Sequence, residues 1–425
     1  MREGCSGAAC ASAVLAAVAS LSSCKLSAAN PPSGQDFAAI ERGRYLTAVA
    51  DCTACHTDPV TQQSFAGGRP IETPFGTVVA ANITPDLETG IGNWSFEQFD
   101  AAVRRGRRSD GKRLYPAMPF PYYTRMNRSD VEAIRAYLAT VAPVHKKVET
   151  NQLPFPWEFR FGMRFWDALY FKAGPFKPDP SKPDVWNRGA YLVQGPGHCA
   201  SCHTPKTWLG GDRTGQAFEG YSLQGWFAPD ITNDARRGLG HWSSADLVEY
   251  LKTGHNRFAG ASGPMAEEVV HSSSMMTESD LTAIATYLKD QPPGKSAKPD
   301  NSVADTQTVM ASGGAIYQDL CSACHQHDGS GVPYLIPDLA HSASVDSREP
   351  TSLLRVVIQG AQTASTAAEP TAPAMPAFGW QLSDEQIASV TTYIRNSWGH
   401  AAPATSAGDV HKAREDLQGR VGPIQ

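Results

Sequence analysis

The sequence predicts an all-α chain of three tandem modules. Three observations predict it. A five-residue motif, CxxCH, occurs three times, as Cys52-Thr53-Ala54-Cys55-His56, Cys199-Ala200-Ser201-Cys202-His203 and Cys321-Ser322-Ala323-Cys324-His325. Apolar residues at helical spacing stand before each copy and again at the end of each module. Paired signatures repeat in the same order between the first module and the second. At 425 residues the chain has room for three domains of ordinary size.

CxxCH is the attachment signature of c-type haem. Two thiols three residues apart on one helical turn reach the two vinyl groups of a porphyrin and become thioethers. The adjacent imidazole then faces the iron. The alternatives for a single CxxC are a zinc site or a dithiol redox pair. Zinc needs four ligands gathered from paired knuckles, and a dithiol enzyme has no need of a histidine at the same place three times. The expected attachment residues are Cys52, Cys55, Cys199, Cys202, Cys321 and Cys324, with His56, His203 and His325 on the metal.

In chain order, residues 1–29 read as an export signal: Arg2, an Ala-rich run from Ala11 to Leu21, then small residues. Leu21-Ser22-Ser23-Cys24 fits lipoprotein processing, which would leave a lipid anchor on Cys24. Ser27-Ala28-Ala29 fits ordinary cleavage before Asn30. The first is preferred because it accounts for a lone cysteine there. Of the nine cysteines, the three outside the motifs (Cys5, Cys10 and Cys24) fall in this segment, so no pair remains for a structural disulfide.

The first module covers 36–148. It opens on a helix from Ile40 to Val49 and closes on one capped by Ser129-Asp130, with Val131, Ile134, Tyr137 and Leu138 on one face. A linker over 149–184 carries Phe155, Trp157, Phe159, Phe161, Phe165, Trp166, Tyr170, Phe171 and Phe176. So much apolar surface needs cover. The expectation is packing between the first two modules; a partner subunit or a bilayer surface is the alternative.

The second module, 185–291, repeats the first: Tyr45-Leu46 as Tyr191-Leu192, Ile83-Thr84 as Ile231-Thr232, Gly90-Ile91-Gly92 as Gly238-Leu239-Gly240, Trp94-Ser95 as Trp242-Ser243. A Pro/Gly hinge at 292–305 leads to a third module, 306–398. It keeps an opening (Gly314, Ile316, Tyr317) and a closing helix (Ile387, Val390, Tyr393, Ile394). The tail, 399–425, is polar and holds no spanning segment.

Met118 and Met375 each sit in a Pro-flanked loop before a closing helix and are the expected sixth ligands. In the second module Met265, Met275 and Met276 compete. Met118 follows His56 by 62 residues and Met265 follows His203 by 62, so Met265 keeps the register. His/Met ligation places iron in the higher-potential range. It also fills both axial positions, which favours electron transfer over catalysis. His198, His271 and the basic run from Arg104 to Arg113 are expected to be polar packing, propionate contacts or solvated surface.

A net charge of -5 with no basic field gives no reason to expect nucleic acid. Gly90-x-Gly92 and Gly238-x-Gly240 lack the third glycine of a dinucleotide fingerprint, and no HExxH or GxSxG occurs.

The ordered set Asp51-Cys52-x-x-Cys55-His56-Thr57, Asn82-Ile83-Thr84-Pro85, Gly90-Ile91-Gly92-x-Trp94, Leu114-Tyr115-Pro116-Ala117-Met118-Pro119, Trp186-Asn187-Arg188-Gly189-x-Tyr191-Leu192, Gly263-Pro264-Met265-Ala266-Glu267 and Met375-Pro376-Ala377-Phe378 resembles the triheme cytochrome c subunits of bacterial membrane-bound dehydrogenases. The resemblance implies three class I cytochrome c domains, each around one covalent haem. It implies a partner catalytic subunit with flavin or pyrroloquinoline quinone (PQQ), and electron delivery to ubiquinone at the periplasmic face of the cytoplasmic membrane. The chain itself is expected to be non-catalytic. A free-standing periplasmic multihaem carrier and a multihaem peroxidase are the rival expectations.

Overall fold

Helices dominate the computed structural model, which describes residues 36–295 and 306–418. The export segment, Cys24 and part of the 292–305 hinge lie outside the described residues. From Ala38 onward the chain forms one compact unit.

One packing device recurs three times. An opening helix crosses a closing helix at a glycine so tightly that no side chain fits between them. Gly43 in Phe37–Val49 meets Ala133 and Tyr137 of Arg128–Leu138; a β-carbon there would lie 1.9 Å from the Ala133 carbonyl oxygen. Gly189 in Asp184–Gln194 meets Ala283 and Tyr287 of Glu278–Lys289 at the same 1.9 Å. Gly313 in Thr306–Leu320 meets Ser389 and Tyr393 of Asp384–Arg395 at 2.2 Å.

Ser129-Asp130 is not a cap. The helix begins at Arg128 behind Asn127, and Asp130 is buried one turn in. It accepts Arg42 (Nε, 2.9 Å) and the hydroxyl of Tyr191 from the second region. Asp280 stands at the same place in its own helix. It accepts a two-bond fork from Arg188 (2.8 and 2.7 Å) and the Tyr45 hydroxyl at 2.6 Å from the first region. Each region thus sends a tyrosine into the other's Arg-Asp pair. Val49 also joins the core of Leu192, Leu281 and Leu288, so the two regions share apolar packing.

The third region docks on the second through Arg236 and the fully buried Asp346 (2.8 Å) and through Phe227 N–H on the Ser352 hydroxyl (2.8 Å). Arg395, almost fully buried, donates to the carbonyls of Val345 and Ser347, which ties the closing helix to the loop that carries Asp346.

One further expectation is corrected and one is met in part. The 399–425 tail is not simply polar: Ala407–Gln418 is a helix that buries Val410 and Leu417, while Arg414 holds Asp384 (2.7 Å) and the carbonyls of Gly379 and Leu382. The aromatic linker packs between the first two regions, as expected, but only in part. Trp166 and Phe171 pack on Phe120, and Phe176 packs on Tyr191, but Phe155, Phe159, Phe161 and Phe165 remain exposed. Short antiparallel pairs, Pro70–Thr73 with Gly76–Val79 and Tyr221–Leu223 with Trp226–Ala228, follow the first two motifs. The helix Phe96–Arg105 in the first region, Ser244–Thr253 in the second and Asp384–Arg395 in the third each start from a capping box, at Ser95, Ser243 and Ser383.

Candidate haem sites

Each motif forms a single helical turn: Cys52–His56, Ala200–His203 with Cys199 as its cap, and Ser322–His325 with Cys321 as its cap. The histidine ending each turn is held the same way. His56 Nδ1 lies 2.6 Å from the Ala81 carbonyl oxygen, His203 Nδ1 2.7 Å from that of Pro229, and His325 Nδ1 3.2 Å from that of Pro337. A carbonyl can only accept, so Nδ1 carries the proton and Nε2 is left with a free lone pair. This arrangement orients and polarises a metal-ligating imidazole. Burial lowers the pKa of all three rings, which keeps them neutral. A second contact recurs beside it: the backbone N–H groups of Gly67, Gly220 and Gly331 bond the carbonyls of His56, His203 and His325.

None of the six motif cysteines is engaged in a disulfide. Burial pushes Cys52, Cys55 and Cys199 up to about 12 and Cys321 to about 11. Among the described residues no three His, Cys, Asp or Glu gather as a zinc site would require.

The motifs open onto one continuous cavity of about 2840 Å3, lined by all six thiols, the three histidines, and Met118, Met265 and Met375. An ordinary ligand pocket holds roughly 300–1,000 Å3, so this space fits several large planar groups. The walls are mainly apolar, with Ile83, Trp94, Ile231, Trp242, Leu339 and Phe378 among them. Paired vinyl-reactive thiols, a neutral imidazole with Nε2 free and a large apolar cavity fit covalent haem.

Each methionine is delivered by a different local device. Met118 lies in a tight turn, its N–H on the Tyr115 carbonyl and its own carbonyl on Phe120 N–H (2.7 Å). Met265 follows Gly263 and Pro264 at the start of Pro264–His271. Gly263 has φ 58°, and a β-carbon there would strike the Trp226 ring at 2.5 Å. Met375 pairs with Ala361 in a two-residue antiparallel bridge.

Of the competing methionines, Met275 is 56 % exposed and does not line the cavity. Met276 lines it, but is buried in the core of the second region. It has a counterpart in Met126, equally buried in the first core. Each stands four residues before the aspartate of the tyrosine exchange. Met276 therefore occupies a core position, as Met126 does.

His198 packs edge-on against Tyr123 (5.6 Å), and burial holds its pKa down at about 4. His271 lines the cavity near the Arg69–Glu267 pair (2.6 Å). Of the basic run, Arg104 pairs with Asp100 (2.6 Å), Arg113 pairs with Asp167 (2.6 Å), and Arg108 reaches the cavity wall.

The sequence reading missed the histidine acceptors, although a signal existed. Ala81 and Pro229 each stand two residues before the repeated Ile-Thr pair. It also missed Tyr123, whose hydroxyl donates to the Ala50 carbonyl and braces the entry to the first motif.

A cytochrome c family model matches residues 187–292 and 310–398. The chain is 39% identical over 399 residues to the gluconate 2-dehydrogenase cytochrome c subunit of Pantoea cypripedii, covering 89% of this chain and 90% of that one. It is 38% identical over 399 residues to the cytochrome c subunit of the quinone alcohol dehydrogenase of Komagataeibacter europaeus, covering 89% and 85%. It is 37% identical over 411 residues to the fructose dehydrogenase cytochrome subunit of Gluconobacter japonicus, covering 90% and 84%. With c-type haem as its cofactor, the chain belongs to the family of dehydrogenase cytochrome c subunits.

Proposed function

We propose that this chain is the triheme electron-transfer subunit of a membrane-bound dehydrogenase. In this reading it takes electrons from a catalytic subunit carrying flavin or PQQ and passes them to ubiquinone at the periplasmic face of the cytoplasmic membrane. Cys52 and Cys55, Cys199 and Cys202, and Cys321 and Cys324 would anchor one haem each in three class I cytochrome c domains. His56 with Met118, His203 with Met265, and His325 with Met375 would be the axial pairs. When bound, each haem supplies one site that gains and loses a single electron.

The observation that carries the reading is the threefold recurrence of an imidazole whose Nδ1 is tied to a backbone carbonyl beside two cysteines that form no disulfide. The first region, outside the family-model match, has the same construction as the other two.

Continuity supports a relay through all three sites. Cys55 and Cys202 line the same cavity. Trp226, on the second cavity wall, stacks under Arg355 of the third region at 4.8 Å. Among the described residues no helix is long and apolar enough to cross a membrane.

The test is affinity purification from solubilised membranes of the native host, with a haem count and identification of what co-purifies. Three haems per chain with a flavin- or PQQ-dependent dehydrogenase is the expected result. Two haems would remove the first site, and a chain found alone in the soluble fraction would favour a free-standing carrier.

A further inference from the structure

Two of the three methionine loops are joined to each other. The hairpin that leads to Met265 bridges His255 to Gly260 and bonds the Ala261 N–H to the Gly254 carbonyl (2.7 Å). Its last turn then pairs with the third region: Ser262 bridges Thr363 in antiparallel register, and the Ala364 N–H donates to the Ala261 carbonyl (2.8 Å). The start of the same segment pairs with the strand of the third methionine, Ala361 with Met375 and Gln362 with Ala374. Residues 361–364 thus hold the Met265 loop at one end and Met375 at the other.

Thr363 is the joint of this segment. Its N–H (3.0 Å) and its hydroxyl (3.1 Å) both donate to the Pro373 carbonyl, two residues before Met375. With its proton committed there, the hydroxyl oxygen accepts from His255 Nε2 of the second region (2.8 Å). His255 is buried, so this bond is shielded from water. Packing follows the same line. Ala364 completes a buried cluster with Ala261 and Val269, and Met265 packs against it. A β-carbon on Gly260 would lie 2.7 Å from Thr363 Cγ2, so the two loops meet with no layer of side chains between them.

The first region supplies the contrast. Its equivalent hairpin bridges Arg107 to Arg113 and bonds the Leu114 N–H to the Gly106 carbonyl (2.8 Å). Arg107, at the place of His255, is exposed, and the Arg113 carbonyl accepts Arg160 of the linker (2.7 Å). The partner of the Met118 hairpin is therefore the linker, where the partner of the Met265 hairpin is a segment beside another methionine.

We infer that Thr363 is a shared positioning residue for Met265 and Met375, so that the second and third haem sites are tuned together and the first is tuned alone. Groups behind a metal ligand fix its direction and thereby the properties of the metal. Here one hydroxyl stands behind two ligands, reaching one through His255 and the other through the Pro373 carbonyl. The inference rests on the axial pairs of the proposed function.

The test is potentiometric titration of holoprotein variants, with the rate of cyanide binding to the oxidised protein, which requires methionine to leave the iron. Met265→Ala and Met375→Ala cut a side chain and leave the loops paired, so each should move one redox wave and identify the second and third sites. Thr363→Val keeps the side-chain shape and removes the hydroxyl, which strands the buried His255 donor and takes one donor from Pro373. It should move both of those waves, leave the first, and make two of three haems bind cyanide about tenfold faster. Thr363→Ser keeps the hydroxyl and should behave as wild type. If Thr363→Val loses haem, mass spectrometry of the three motif peptides reads the same pattern: the loss should fall on the second and third sites and spare the first. Movement or loss at one site only, at all three or at none would overturn the inference, as would a Thr363→Ser variant that matches Thr363→Val. Failure of the two methionine variants to move any wave would instead overturn the axial pairs.

Discussion

Replacing Met265 with alanine separates the proposed ligand from its neighbours. Met118, Met265 and Met375 line one cavity with three histidine-bearing motifs, so each sulfur should supply one of three equal shares of the sulfur-to-iron charge-transfer absorption. Met265→Ala should leave about two thirds of that band in the oxidised protein. Axial-ligand identity tunes haem potential over roughly 0.8 V, so one of three redox waves should move while two stay. Met276→Leu is the control. Its side chain is buried where Met126 is buried in the first region, so the band should be intact and only packing altered, at a cost of about 1 kcal/mol. The assay is the visible spectrum of the oxidised holoprotein with a potentiometric titration. A full band in Met265→Ala, or a band reduced by a third in Met276→Leu, would refute the reasoning.

Three other outcomes are expected. Tyr45→Phe removes one charge-assisted hydrogen bond to Asp280 and should lower the urea midpoint of the first two regions by an amount equivalent to about 1.5–3 kcal/mol; Tyr191→Phe should act alike through Asp130. Gly189→Ala places a β-carbon 1.9 Å from the Ala283 carbonyl and should reduce both stability and haem incorporation, whereas Gly215→Ala, with nothing within 4 Å, should do neither. Burial pushes the Asp280 carboxyl up, but hydrogen bonds from Arg188 and Tyr45 outweigh it and hold it below its ordinary range. With the folded pKa below the unfolded one, its contribution is complete above about pH 4 and is lost as pH falls through the folded value. Acid unfolding followed by circular dichroism should therefore lose this component in Asp280→Asn.

What could be read from the sequence was what repeats along the chain. The three motifs, the Met118 to Met265 register and the helices around them depend on spacing within one module, and spacing is visible. The histidine acceptors depend on a backbone carbonyl some 25 residues away, at Ala81 and Pro229, where the side chain says little. Asp130 looked like a cap because Ser129-Asp130 is ordinary helix-start chemistry; its true partners are 88 and 61 residues distant. The tail helix had a local signal, Ser406 and Asp409 before Val410, Ala413 and Leu417. The aromatic linker showed its composition but not its orientation, which Trp166 and Asp167 set through contacts outside the linker.

The tyrosine exchange between the first two regions has the form of an isologous contact, in which the same patch serves both sides. Arg42, Asp130 and Tyr45 on one side answer to Arg188, Asp280 and Tyr191 on the other. A single ancestral unit carrying those three residues would have associated with an identical copy of itself, each lending its tyrosine to the other. Joining two such copies end to end would hold the pairing at a fixed, high effective concentration. The third region stands outside that symmetry: Gln386 occupies the helix position held by the two aspartates, and its side chain turns back to the Ser383 backbone. It is attached instead through Asp346 and Arg236, a contact that the pseudo-symmetric pair does not repeat.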